Sequence, residues 1–438
     1  MIAQVLEAVR GQAEAADAMW QRGERTSIAF EAGRLKTCGS AEEAGVNLRV
    51  VRDGRVGIAG TTTTDVADLV RRALASAQLG EPVALALPAR ASYPAIETTA
   101  RAVADASLDQ LITLGRSLVD RVARDGCQVN VSIERSVAET SVGNSSGVEG
   151  RYDSTGIAIG VDLMRVAGND VLMVYDYYVG VDWPSTAALD SLVHSIATRL
   201  DHALRVVEPP EGALPVVFTP AGLSPILLPL EQGLSGKAVL QGVSPLAGKL
   251  GDRAFDERFT LIDDPLAPGR TSSRPFDDEG VPSVVTPLIE RGVVQRFVYD
   301  LETAARAEQA STGNGSRGIF AKPKIAYSNL VVGKRDSSAA GTASLGGGLI
   351  EALQDGLVID DLIGVGQGNV IGGAFSHPVA LAYRVQGGEI TGRVKDAAVA
   401  GNVYELLKRI GGFGTDGRWL GARWTPSLLL EGVSVARR

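Results

Sequence analysis

The side chains able to carry metal or acid–base chemistry are few. Among 438 residues there are three histidines, His194, His202 and His377, and two cysteines, Cys38 and Cys127. That leaves little from which to build a zinc site or a Ser-His-Asp triad. His194 and His202 fall on one predicted helix away from its apolar stripe and read as solvated surface residues. His377, in Ser376-His377-Pro378 between two predicted strands, is the one histidine placed to act as a catalytic base; its other reading is a structural loop histidine. The acidic runs Asp263-Asp264 and Asp277-Asp278-Glu279-Gly280 contain enough carboxylates for a divalent cation. Their spacing does not fit an EF-hand, and Asp before Pro or Gly is common turn chemistry, so the turn reading is preferred. Gly364-Val365-Gly366-Gln367-Gly368-Asn369 lacks the third glycine of a dinucleotide loop. Gly346-Gly347-Gly348 has no Lys-Ser/Thr after it and is no P-loop.

The elements that must position these residues fall into two unlike halves. Ile2 to Trp20 is alanine-rich and predicted helical. Thr26–Lys36 carries two short runs around a turn at Ala32-Gly33. Asp53-Gly54 between Gly45–Arg52 and Val56–Ala59 is a hairpin signal. Thr64 caps a predicted helix with Val66, Leu69, Val70, Ala73 and Ala77 at helical spacing, and a second helix runs from Leu108 through Val122 and stops at Gly126. Four strand-like segments follow (128–134, 138–142, 156–166 and 171–179). They are joined by turns too short for parallel pairing. Thr186–Leu204 is again an amphipathic helix. Pro209-Pro210-Glu211-Gly212 is an extended connector, beyond which glycine and short strands such as 293–299 and 381–385 dominate. Two helical stretches, 349–354 and 403–410, interrupt them. The expectation is an α+β chain with an antiparallel N-terminal sheet and a β-rich C-terminal part with few helices, divided as 1–208 and 213–438. Length alone admits two or three domains.

Composition excludes whole classes of function. With 45% hydrophobic and 21% charged residues the chain is globular, and two cysteines make a disulfide framework unneeded. The net charge of −8, with no basic run longer than a pair such as Arg71-Arg72 or Arg437-Arg438, argues against direct nucleic-acid binding. No apolar run reaches the roughly 18 residues of a membrane span, and no basic leader precedes an apolar block. The expectation is a cytoplasmic protein with no membrane contact.

One ordered series of blocks is specific. It begins with Val46-Asn47-Leu48-Arg49-Val50-Val51-Arg52-Asp53-Gly54-Arg55-Val56-Gly57 and continues through Gly242–Gly251, Phe276–Gly280, Leu288–Val294 and Ser311–Gly315. It closes with Gly366-Gln367-Gly368, Gly373–Ser376, Gly388-Glu389-Ile390 and Ala400-Gly401-Asn402. The series resembles the TldD/PmbA family (TldE is another name for the PmbA side), whose members were once labelled modulators of DNA gyrase. The resemblance implies that a TldD-type subunit carries His-Glu-x-x-x-His plus a late cysteine, holding zinc with the glutamate as general base. In this chain the matching window is Leu227–Gly236. Leu227 and Gln232 stand at the two histidine positions, and Leu228 stands at the glutamate position. Glu231 is out of register, Pro229 is expected to disturb a helix there, and no cysteine follows Cys127.

The resemblance therefore implies the PmbA/TldE side: no catalytic residue, metal or cofactor in this chain, with zinc in a TldD-type partner. The pair would be a heterodimeric peptidase acting on unfolded or leader peptides. Residues matched to its substrate path are Glu231, Gln232 and Ser235 in the former active-site helix, and Asn314, Ser316, Gln367 and Asn369 in glycine loops; each also reads as a polar turn residue. Two alternatives remain open. One is a standalone metal-independent peptide hydrolase using His377 with Ser376 or a nearby carboxylate. The other is a homodimeric peptide-binding protein in peptide natural-product maturation.

Overall fold

A computed structural model describes residues 1–333 and 345–438. The first 180 residues form one antiparallel six-stranded sheet, ordered β3-β2-β1-β4-β5-β6. Its strands are β1 (Ala15–Glu31), β2 (Arg34–Arg52), β3 (Arg55–Thr61), β4 (Cys127–Asn144), β5 (Glu149–Ala167) and β6 (Asp170–Gly180). The hairpin turns are those expected. Ala32-Gly33 and Asp53-Gly54 both take left-handed φ at both positions, as the tightest antiparallel turns require. Helices α1 (Ile2–Val9), α2 (Val66–Ala77), α3 (Arg101–Ala104), α4 (Leu108–Val122) and α5 (Thr186–Ala203) accompany this sheet. Asp65 rather than Thr64 caps α2, its side chain accepting from the Asp68 N–H.

Three expectations need correction here. The N-terminal helix ends at Val9, and residues 15–20 begin β1. Ala16, Asp17, Ala18 and Met19 are all buried, so the strand shows none of the alternation that betrays a half-exposed one. Ala16 and Ala18 pack with α1 and α2, whereas Met19 meets Phe276 of the second half. The segments 128–134 and 138–142 are one strand, β4. The polar residues between them are mid-strand, and Arg135 is buried against Glu24 and the Val103 carbonyl. Finally, 293–299 contributes only a two-residue strand.

The second half is α+β with strand in excess. Short strands β7 (Val206–Val207), β8 (Gly212–Phe218), β9 (Leu261–Asp263), β10 (Thr286–Glu290), β11 (Val293–Val294), β12 (Gly315–Ser316), β13 (Lys324–Ile325) and β14 (Leu330–Val332) come first. After them come β15 (Asp355–Leu362), β16 (Ala374–Gln386), β17 (Glu389–Val394), β18 (Ala397–Asn402), β19 (Ile410–Phe413), β20 (Arg418–Leu420), β21 (Arg423–Thr425) and β22 (Leu428–Arg437), of which β16 and β22 are the longest. Strands β15, β8, β22, β18 and β16 pair in that order, and β16 pairs back to β15, so the pairings close a cycle. The helices are α6 (Ser224–Gly233), α7 (Gly236–Leu240), α8 (Leu301–Arg306), α9 (Leu349–Leu353) and α10 (Val403–Leu406).

One buried cluster spans the Pro209-Pro210 connector. It joins Ile28, Ile133 and Ile159 of the first sheet and Leu111, Leu118, Ile196 and Leu200 of α4 and α5 to Val217, Val358 and Tyr383 of the second half. Burying each such aliphatic side chain stabilises by about 1.5–3 kcal/mol, so the shared cluster holds the halves together. A second cluster, containing Phe218, Ile226, Leu227, Leu230, Phe259 and Tyr404, lies wholly in the second half and seats α6.

Candidate functional site

Helix α6 carries the window that the family resemblance singles out. Pro225 occupies its first turn, where a missing N–H costs nothing. Pro229 lies inside the helix, which nevertheless runs unbroken to Gly233, contrary to the expectation of a disturbed helix. An interior proline costs about 3 kcal/mol. The burial of Ile226, Leu227 and Leu230 on the same face offsets it. The Tyr404 hydroxyl sits 2.9 Å from the Pro229 carbonyl oxygen and 3.0 Å from that of Ile371. It thereby ties α6 to the turn 370–372, which follows the glycine loop bearing Gln367.

The result is a hollow of about 100 Å³ against α6 that brings Leu228 and Pro229 together with Gln367, Phe375, Ser376 and His377. His377 is not in a loop, as expected from sequence, but inside β16, opposite Val399 of β18. Its ring stacks on Phe375 at 5.9 Å, and burial lowers its pKa, so it is neutral near pH 7. Ser376 and His377 are consecutive on a strand, so their side chains project to opposite faces. They do not form a nucleophile–base pair. Among the described residues no carboxylate is hydrogen-bonded to the His377 ring.

The remaining sequence-selected residues scatter around this hollow. Leu227 is buried in the core, Leu228 is half-buried at the hollow, and Gln232 is exposed. Glu231 pairs with Arg423 at 2.7 Å, and its carbonyl accepts from the Tyr327 hydroxyl at 2.6 Å. Ser235 stands at the N-cap position of α7 without a side-chain capping bond, and Asn369 stands exposed before the 370–372 turn. Asn314 lies elsewhere, fully buried, its amide donating to Asp263 at 2.7 Å and to the Ala326 carbonyl at 3.0 Å. Ser316 is on β12, away from the hollow. His194 is exposed as expected, but His202 is half-buried, edge-on to Tyr383 at 6.0 Å.

Sequence reasoning missed two buried ionic networks. In the first, Arg49 grips Asp17 at 2.7 Å and Glu279 at 2.6 Å, and Arg317 meets Asp17 at 2.8 Å. Asp277 does the expected turn work, accepting from the N–H groups of Glu279 and Val281. Glu279, by contrast, is an interior ion partner rather than a turn residue. Burial raises the Glu279 carboxyl to about 7 and Asp277 to about 6. In the second, Arg199 bridges Asp360 at 2.6 Å and Asp176 at 3.2 Å, and Arg418 binds both oxygens of Asp176 at 2.8 Å. Burial pushes the Asp176 pKa upward, but Arg418 and Arg199 hold it below the usual range. A charged residue inside an apolar run, Arg49 between Leu48 and Val50 or Asp17 between Ala16 and Ala18, is the signal that could have located the first.

Zinc does not fit these donors. In the window that the resemblance singled out, Leu227, Leu228 and Gln232 offer no imidazole, thiolate or carboxylate to a zinc ion. Among the described residues no three His, Cys, Asp or Glu side chains converge on a point.

Comparison with known proteins decides the family. The model described as the PmbA/TldA metallopeptidase C-terminal domain matches residues 211–437, and the one described as PmbA/TldA metallopeptidase domain 1 matches residues 16–77. The chain belongs to the PmbA/TldD family. It is similar to a protein named metalloprotease from Methanothermobacter thermautotrophicus, 26% identical over 94% of this chain and 91% of that one. It also resembles a metalloprotease TldD homolog from Haemophilus influenzae, 30% identical over 47% of this chain and 42% of that one. The crystal structure of TldE from Thermococcus kodakarensis superposes with a TM-score of 0.87 at 24% identity, covering 99% of each chain, which establishes the shared fold. Among the described residues no helix is long and apolar enough to cross a membrane.

Proposed function

We propose that this chain is the metal-free partner subunit of a TldD/TldE-type heterodimeric metallopeptidase that cleaves unfolded or leader peptides. The observation that carries the reading is α6: a helix kept intact at the family's zinc position, with Leu227, Leu228 and Gln232 where metal ligands and base would stand. Zinc and its general base then belong to the partner. The retained surface around α6, with Gln232 exposed and Gln367 and His377 at the adjoining hollow, completes the wall of the peptide chamber. An extended substrate held through its backbone suits a strand-rich protein and requires little sequence selectivity.

The test is assembly. This chain, mixed with a family member bearing His-Glu-x-x-x-His, should migrate as a one-to-one complex on size-exclusion chromatography, with zinc stoichiometric to the partner alone. Two separate peaks at micromolar concentration would count against the reading.

A further inference from the structure

The outer edge of β6 is unpaired where it is most apolar. A two-residue turn, Gly168-Asn169, joins β5 to β6, which makes Ala167 and Asp170 the first paired residues of the hairpin. Pairing then alternates: residues 170, 172 and 174 turn their backbone groups toward β5, while Val171, Met173 and Tyr175 turn their N–H and C=O outward. Among the described residues none of these outward groups is bonded to another segment. The same three side chains are exposed at 60%, 51% and 36%, and Val166, opposite Val171, at 58%. The free stretch is bounded at one end by Asp170, held by Arg393 and Lys395, and at the other by Asp176, held by Arg418.

We propose that this edge takes up an extended peptide as an added strand, with apolar side chains at alternate positions. The unpaired backbone dictates an extended occupant, and the row Val171, Met173, Tyr175 dictates apolar groups every second residue. Four exposed side chains on a short edge form a smaller face than the roughly 800 Å² per partner of a standard protein interface, so a peptide fits better than a second copy. The edge also runs toward α6. Tyr175 lies beside Asp361 at the end of β15, just before the Gln367 loop. Tyr177 lies beside Arg423, the partner of Glu231. The inference deepens the chamber reading above by naming where the chain grips its substrate, but binding to the isolated protein tests it without any partner.

The experiment is fluorescence anisotropy with a dye-labelled octapeptide of alternating Val and Thr and the isolated full chain. Saturable binding is expected, weakened at least tenfold by Met173→Glu. The same peptide with alternate backbone nitrogens methylated keeps its side chains and loses its donors, and should also bind at least tenfold more weakly. No binding, equal binding by M173E, or equal binding of the methylated peptide would each overturn the proposal. So would a dimer by sedimentation that M173E dissociates, since it assigns the edge to a second copy. Failure to assemble with a His-Glu-x-x-x-His subunit would instead overturn the partner reading and leave this result standing.

Discussion

The two buried ionic networks are built alike and respond to protons differently. Each joins two residues of the N-terminal half to two of the C-terminal half: Asp17 and Arg49 with Glu279 and Arg317, and Asp176 and Arg199 with Asp360 and Arg418. Each pairs two carboxyls with two guanidinia. In the second, bidentate Arg418 and bridging Arg199 outweigh the cost of burying Asp176, which stays ionised. In the first, Glu279 shares its surroundings with Asp277 and Asp300, and burial prevails, so its carboxyl titrates near neutrality. Burying a charge is tolerable only in proportion to its partners. One joint between the halves is therefore fixed, and the other is sensitive to protons.

The largest expected effect comes from removing the central guanidinium of either joint. Arg49→Met and Arg199→Met each strand buried carboxylates and should cost about 3–5 kcal/mol of unfolding free energy by chemical denaturation. A loss under 1 kcal/mol in either would mean that the networks do not hold the halves together.

Next comes the pH response. The Glu279 pKa is raised in the folded state, so its contribution is fully present below the ordinary glutamate value near 4.5 and is lost as pH rises through about 7. Between pH 5 and 8 the unfolding free energy should fall by on the order of 1–3 kcal/mol, and the melting temperature with it. Glu279→Gln, which keeps an acceptor for Arg49, should flatten that slope. Asp17 and Asp176 act oppositely, since their depressed values matter only as pH falls below the ordinary aspartate value near 3.8. A wild-type slope that persists in E279Q would place the sensitive group elsewhere.

Smaller still is the ion pair of α6. Glu231 and Arg423 are partly solvated, so Glu231→Gln should change stability by about 0.5 kcal/mol or less. His377→Ala, which removes a half-buried ring stacked on Phe375, should cost about 1 kcal/mol of unfolding free energy.

What was legible in the sequence was local. The hairpins at Ala32-Gly33 and Asp53-Gly54 and the helices over 66–77, 108–122 and 186–203 follow from turn residues and spacing within a few positions. The first strand was not legible, because burial of both faces of residues 16–19 erased the alternation. The networks were not legible as pairs either. Arg49 and Glu279 are separated by 230 residues and meet only through the packing of the two halves. For the site, the family series pointed to the window that forms α6. It could not reveal that Asn314 is locked onto Asp263 or that Ser376 and His377 face apart, since both depend on three-dimensional packing.

In the function proposed above, this chain contributes to peptide hydrolysis without catalysing it. The decisive measurement is cleavage of an unfolded reporter peptide by the purified chain, by a His-Glu-x-x-x-His subunit and by their mixture. Cleavage by the mixture is expected at a rate well above the sum of the separate proteins, abolished by a chelator. Cleavage by this chain alone, resistant to chelation and lost in His377→Ala, would contradict it.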